Sequence, residues 1–587
     1  MIGIRIDREH WLQLYADIQL DIVRTSPVFS EDKVFEENSV YNFVVPNTSH
    51  NSAILGHPQR VMALLPPTGK KMIEIFYNNN LVAIGSVYVT KSSNQTIELV
   101  AGLDESSFAS VYGSKKISSF EYGGMMTYRD GYDTEPTSIL QVCNGYFPEY
   151  PFAFFPIKNT SLFDGSQWET GWRTDPLSRP YQNDYKAMMY DPINDIYEYK
   201  TNHISVSPFP YVGFVIENIF KECGYTIEYN IFRNDDNLKR LCIYNPNIIF
   251  GVGSNRDYYY ININEHLPAI TVSEFLKAIK KPFGLNVSIN ELTKTVSIRS
   301  FNQINDLRKK FVALSEDISY ETAKKVRFKV HVDGNDSYAK ERQQPDEVEK
   351  SRYRGIVYTL ADLNTIQYPR EGDVALVLIS QYNDFYQYRS SQSGSFSWER
   401  LCYNVQHIKK GEENTDESDF DLDFSVLFSE FDQCYQPILS TNDSWTVPVV
   451  EIIGNKRNKP MEPQLSYNDF ELKLMMYWGM TGETTSELAY PQGSSTIYEG
   501  GLMLPGGRNL SLIPNHPNNF IEKYLSRYYI SLTNRRVKVL HIVMTIPDLN
   551  DINWMKTIIH DGRLWLTTKI NYKLSNSGIS IVEMELT

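Results

Sequence analysis

Two-residue alternation dominates the hydrophobic pattern of the chain. Residues 73–77 alternate, Asn78, Asn79 and Asn80 signal a turn, and 81–90 resume the pattern. A polar stretch, 91–95, leads into a third segment at 96–100, so the spacing predicts an antiparallel meander. Gly85, inside the second strand, predicts a bulge or barrel bend. Upstream, 40–45 runs into Pro46, which has no N–H for a ladder and stops the strand. Residues 101–205 hold many Gly, Pro, Tyr and Ser and read as loops with short strands.

The period becomes helical twice. Residues 214–223 are amphipathic, Gly224 is a stop signal, and 225–229 alternate as a strand. Later, Thr271 and Glu274 form a T-x-x-E capping box, 275–283 are helical, Gly284 ends the helix, and 285–289 form a strand. Residues 290–294 then turn the chain into 295–299. Laid without gaps, 215–230 and 275–290 share Ile219/Ile279, Lys221/Lys281, Gly224/Gly284 and Asn230/Asn290. The reading is a duplicated helix–glycine–strand unit, weighed against chance likeness between any two such units. Pro282 is expected to distort the last helical turn.

Beyond residue 300 the chain turns polar. A strand is predicted at 326–332, then a charged, solvated loop at 333–351. Residues 374–379 form a continuous apolar strand, followed by aromatic-rich strands at 384–388 and 395–404, with Trp398 among them. Near the end, 536–546 are apolar on both faces, as in a central strand. Asp561-Gly562 signals a hairpin between 557–560 and 563–574. In its second arm, alternation puts Leu566, Thr568, Ile570, Tyr572 and Leu574 on one face and Trp565, Lys569, Asn571 and Lys573 on the other. Asn576-Ser577-Gly578 turns into 579–586, with Val582, Met584 and Leu586 on one face.

Composition narrows the class. The chain has 587 residues, 42% hydrophobic and 22% charged, enough for about three to five domains with ordinary cores. The net charge of −14 argues against a protein built to grip a phosphate backbone. No apolar run approaches the roughly 18 residues of a membrane helix, and the N-terminus lacks the apolar segment of a signal peptide. Cys143, Cys223, Cys242, Cys402 and Cys434 are too far apart in sequence for a CxxC zinc element. Tyrosine is in excess, with 40 residues; this fits half-buried sheet positions and protein interfaces equally well.

Chemistry is sparse. The chain contains no GxxxxGK[ST], HExxH or GxSxG motif. Gly251 and Gly253 lack the third glycine and helix of a phosphate loop. His541 and His560 read as structural. Asp419, Asp421 and Asp423 would share one strand face. Calcium is one reading of them; a solvated acidic face is the stronger one, since no glycine turn or EF-hand loop accompanies them. No catalytic residue, metal ligand or cofactor is assigned, and the chain is expected not to be an enzyme. The aromatics interleaved with carboxylates in 381–400 keep a carbohydrate-binding or carbohydrate-active alternative open.

Three stretches carry a resemblance: FVVPNTSHNSAILGHPQRV (43–61), TVSEFLKAIKKPFGLNVSINELTKTVSI (271–298) and DINWMKTIIHDGRLWLTTKINYKLSNSGISIVEMEL (551–586). They resemble, in turn, the first tail-tube-like barrel, the helix–hairpin module and the strands closing the second barrel of phage tail and baseplate hub proteins. That family is related to late-control proteins and VgrG hubs. The Tyr-, Asn- and Ile-rich style is similar to tail proteins of phages of Bacteroidetes-like hosts. The resemblance implies a mainly β, multidomain chain with two tail-tube-like antiparallel barrels, an α+β helix–hairpin module and inserted loop-rich domains.

The expected division is 1–125 first barrel, 126–205 loop-rich insertion, 206–300 duplicated module, 301–520 β-rich insertion with second-barrel strands, and 521–587 closing strands. The resemblance further implies a homo-oligomer, with a trimer favoured, between tail tube or distal-tail proteins and spike or fibre proteins. Its lumen would pass DNA or the tape-measure protein, and the acidic net charge suits a lumen that repels phosphate. The expected location is the virion tail, assembled in the host cytoplasm. A distal-tail adaptor or a short-tail stopper or nozzle is the alternative within tails.

Overall fold

The computed structural model describes residues 1–28, 34, 37–58, 71–103, 107–129, 139–159, 181–183, 189–191, 196–198, 205–250, 258–290, 293–306, 308–310, 315–320, 325–330, 347–349, 353–371, 373–379, 382–390, 396–400, 407–409, 417–422, 425–426, 428–433, 444–450, 456–457, 468–481, 490–494, 510, 512, 520–526, 528, 536–545, 548–549, 554, 557–560 and 563–586. The chain is mainly β, in several sheets with a few short helices. Gly251, Gly253, Asp423, Cys402, Cys434 and most of the 333–351 loop lie outside the described residues.

The N-terminal part supplies β1 (Ile2–Ile6), β2 (His10–Trp11), β3 (Gln19–Thr25), β4 (Glu37–Pro46), the short helix α1 (Ser49–Ile54), β5 (Lys71–Tyr77), β6 (Asn80–Ser92) and β7 (Thr96–Leu103). Ile2, Ile4, Ile6, Ile73, Ile75, Ile97 and Leu99 are buried together, which is why the alternating segments form strands with one apolar face. The meander β5–β6–β7 is antiparallel as expected. Its first turn places Asn78 at φ 49° and Asn79 at φ 65°, a left-handed pair that asparagine tolerates. Gly85 is not the bulge: it stands in regular register opposite Ile73 and Leu103. The register shifts instead beside Ile75/Phe76 and beside Val89/Lys91, leaving Val82 and Thr90 as the extra residues of β6.

Both helix–glycine–strand units form. The first is α2 (Val212–Glu222) with β8 (Thr226–Asn230); the second is α3 (Val272–Phe283) with β9 (Leu285–Asn290) and β10 (Thr295–Ser300). Gly224 and Gly284 take φ values of 81° and 52°, so each helix ends on a left-handed glycine. β8 pairs in parallel with β10, joining the two units in one sheet of order β8-β10-β9. The Thr271 hydroxyl accepts the Glu274 N–H at 3.2 Å, and the Glu274 carboxylate accepts the Thr271 N–H at 2.7 Å. The Thr271 N–H, and after it the Thr271 hydroxyl, which also donates to Glu274 Oε2 at 2.8 Å, hold the Glu274 carboxyl below its usual range. α3 runs through Pro282 to Phe283.

The rest of the chain adds β11 (Arg308–Lys310) and β12 (Ser315–Tyr320). A separate four-stranded sheet follows: β13 (Tyr353–Val357), β14 (Val374–Ile379), β15 (Tyr382–Ser390) and β16 (Phe396–Arg400). Last come β17 (Arg536–Ile542), β18 (Thr557–His560), β19 (Arg563–Ser575), β20 (Gly578–Ile579) and β21 (Val582–Leu586). β17 is central as expected, with β21 on one side and β12 on the other. One sheet of 14 strands unites both ends of the chain, in the order β2-β1-β5-β6-β7-β4-β3-β19-β21-β17-β12, with β11-β18 attached along β19 and β20 pairing its end.

This sheet curls in both halves. β1 and β19 are six strand spacings apart, about 29 Å if the sheet were flat. Yet the Ile2 N–H donates to Asn576 Oδ1, just past β19, at 2.7 Å. In the other half, β11 and β12 are five spacings apart in the order β11-β18-β19-β21-β17-β12. Only residues 311–314 connect them, a reach of about 18 Å against about 24 Å for a flat sheet. The two expected barrels are thus two curled parts of one sheet that share β19.

Substitution at the two helix-ending glycines should separate strain from crowding. A Cβ at Gly224 meets nothing within 4 Å, whereas one at Gly284 meets Leu525 Cδ2 at 3.0 Å and the Tyr524 carbonyl at 3.2 Å. Gly224→Ala is expected to cost about 1 kcal/mol and Gly284→Ala about 2–3 kcal/mol in urea unfolding. Equal costs would show that the contact around Gly284 yields freely.

Candidate functional site

The strongest constellation is the seam where the two curled parts meet. β3 and β19 pair antiparallel over seven positions, from Gln19 opposite Ser575 to Thr25 opposite Lys569. Leu20, Ile22, Ile570, Tyr572 and Leu574 are buried on its inner face. Side chains close both ends. At one, Asn576 accepts the Ile2 N–H, and its Nδ2 donates to the Ala16 carbonyl at 2.8 Å. At the other, the Ser26 N–H donates to the Thr568 carbonyl at 2.8 Å. Arg24 Nη1 donates to the Leu549 carbonyl at 2.8 Å, with its guanidinium 5.7 Å from the Trp554 ring.

Thr568 is the bulge of β19. The register steps from Thr567 opposite Leu586 to Lys569 opposite Glu585, leaving Thr568 as the extra residue, and its hydroxyl donates to Glu585 Oε1 at 2.7 Å. This corrects the expected faces. Unbroken alternation set Trp565 with Lys569, Asn571 and Lys573, but the bulge inverts the pattern and Trp565 is buried, 5.6 Å from Lys538 Nζ. Leu566, Thr568, Ile570, Tyr572 and Leu574 are all buried, but they do not share one face as expected: the bulge parts Leu566 from Ile570, Tyr572 and Leu574.

The helical module is fastened to the same place. Lys280 of α3 is buried, and its Nζ donates to the Pro27 carbonyl, just past β3, at 2.6 Å. A buried ammonium persists only where such acceptors meet it, so the bond fixes α3 beside the seam.

The opposite face of the sheet is polar. Arg5 Nε lies 2.6 Å from Glu74 Oε2, Lys91 Nζ 3.6 Å from Glu98, and Lys573 Nζ 3.7 Å from Asp21. Arg8 also approaches Glu74, and Glu585 stands opposite Lys569 in register.

A row missed in the sequence crosses β12, β17 and β21. Ser315 Oγ lies 2.9 Å from His541 Nδ1, and His541 Nε2 lies 3.9 Å from Glu583 Oε1. The three residues stand opposite one another in register on an exposed face, so the row is a cross-strand polar ladder. Only pairing across strands far apart in sequence assembles it, so no local motif announced it.

The remaining candidates disperse. Asp419 and Asp421 lie in the strand Glu417–Leu422, where parallel pairing sets Arg327 opposite Asp419 and Lys329 opposite Asp421. Among the described residues, no group of three or more His, Cys, Asp or Glu is placed to hold a metal. Cys143, Cys223 and Cys242 are buried and form no disulfide. Burial pushes the Cys223 thiol up to about 12 and Cys242 well above its ordinary value, so neither forms thiolate at neutral pH.

Two measurements probe this region. Asn576→Ala should cost about 1–2 kcal/mol and Lys280→Met about 2–3 kcal/mol in denaturant unfolding, while Asp21→Asn, at an exposed pair, should stay within about 0.5 kcal/mol. A maleimide should leave Cys143, Cys223 and Cys242 unmodified in the folded chain at pH 8 and modify them in guanidinium, read by peptide mass spectrometry.

No family model matches the chain, and no curated protein matches it. Two solved structures align along its length. One is the 43 kDa tail protein of prophage MuSo2 from Shewanella oneidensis, at 8% identity and a TM-score of 0.32 over 100% of this chain and 98% of that one. The other is the tail protein from Neisseria meningitidis MC58, at 8% identity and a TM-score of 0.29 over 100% of this chain and 95% of that one. Similarity at these values assigns neither fold nor function.

Proposed function

We propose that the chain is a structural component of a phage tail and, within the tail, a hub subunit. The observation that carries this is the sharing of β19 by two curled parts of one sheet, with α3 fastened at the junction by Lys280. Of the three stretches that resemble tail hubs, 271–298 contains α3, 551–586 contains β19 and β21, and 43–61 contains the end of β4, the strand next to β3.

The geometry suits a mechanical task. A subunit with two similar curled parts, repeated three times, makes a ring with six similar positions. Such a ring joins a sixfold tube to a threefold spike or fibre complex and leaves a channel for DNA or the tape-measure protein. In this reading the protein acts in the virion tail without catalysis.

The test is the mass of the native assembly, by mass photometry of the purified 67.9 kDa chain and symmetry analysis of its particles. A species of three chains with a central channel is expected. A six- or twelve-chain ring would move the protein to an adaptor or nozzle, and a monomer that forms no ring even with its tail neighbours would overturn the tail reading.

A further inference from the structure

The sheet β8-β10-β9 has an apolar face and a polar one. Leu285, Val287, Val296 and Ile298 are buried in the core that also holds the apolar residues of α2 and α3. The antiparallel pairing of β9 with β10 puts the alternate residues on the other face. There Asn286 stands directly opposite Arg299, and Ser288 opposite Ser297. Tyr229 of β8 pairs beside Ser297.

Arg299 is held in place from its Nε side. That nitrogen donates to Ser297 Oγ at 3.2 Å, and the guanidinium carbon lies 4.0 Å from the centre of the Tyr229 ring. The ring is fixed in turn, because Gln303 Nε2 donates to the Tyr229 hydroxyl at 2.9 Å. Among the described residues no carboxylate pairs with Arg299. Glu217, which accepts from Asn230 beside Tyr229 at 3.1 Å, is committed to Arg233 Nε at 2.8 Å. The Nη edge of the Arg299 fork is thus left for a further acceptor.

Asn286 adds a second donor at the same corner. It is only 3% exposed, yet among the described residues its Nδ2 meets no acceptor. A buried amide left unmet is costly and uncommon in a native chain, so it calls for an acceptor that arrives from outside. Ser297 Oγ, having accepted from Arg299, still has its own proton to donate.

We propose that this corner binds the carboxylate of an acidic side chain on a partner protein, held by the Arg299 fork, Asn286 Nδ2 and the Ser297 hydroxyl. The charge count favours a carboxylate over a phosphate. One guanidinium balances a single negative charge and the other donors are neutral, whereas a phosphate group brings up to about two. The flat fork, stacked on Tyr229, matches the two oxygens of a carboxylate. Donors fixed in advance lose little freedom on binding. This inference does not depend on the proposed tail role.

The test is the labelling of Arg299 by phenylglyoxal in the full chain, read by peptide mass spectrometry. N-acetylglutamate α-amide would be titrated in, with the neutral N-acetylglutamine amide and inorganic phosphate as the other arms. The glutamate compound at saturation is expected to slow labelling of Arg299 about tenfold and that of exposed Arg8 not at all. Asn286→Leu and Ser297→Ala should each raise the concentration for half-protection about fivefold. Asn286→Leu removes an unmet donor, so its melting point should not fall, which separates lost binding from lost folding. An Arg299 that resists labelling before any ligand is added would be covered from within the chain and would overturn the proposal. So would no protection, equal protection by the glutamine compound, or protection that both variants leave unchanged. Protection by phosphate at lower concentration than by the glutamate compound would overturn it in favour of a phosphate site.

Discussion

The pairing of β3 with β19 is the constraint on which the main frame depends. Seven paired positions hold the strands from the first hundred residues against those from the last fifty in a single sheet. Their buried side chains belong to one core, so neither curled part has a complete apolar face without the other. The position of α3 follows from the same junction, because its buried lysine finds its acceptor just past β3.

β19 carries two geometries in one strand. Its first residues pair with β18, its later residues with β3, and β21 follows its other edge. A straight ladder would keep one side chain pattern throughout; the bulge at Thr568 lets the strand bend and exchange faces between these duties. Trp565 and Tyr572 are therefore both buried in the one core, although unbroken alternation sets them on opposite faces.

What the sequence disclosed was whatever depends on near neighbours. The meander, the Asn78–Asn79 turn, the capping box and both helix-ending glycines were readable because caps and turns are set within a few residues. The bulge at Thr568 was hidden because Thr fits either face of a strand, and its displacement appears only against the register of β21. Gly85 misled for the converse reason: a glycine permits a bend but does not require one, and here the extra residues fall at Val82 and Thr90. The Ser315–His541–Glu583 ladder and the seam itself rest on partners from tens to hundreds of positions apart, which local pattern does not encode.

The bond between Ile2 and Asn576 spans 574 positions of sequence. On a ribosome, β3 would emerge early and wait with one backbone edge unpaired until β19 is made. Such an edge is a template for adventitious strand addition. Synthesis itself thus imposes a period of vulnerability that lasts until β19 is made, so termination before that strand would leave more than a shortened chain: it would leave an adhesive one.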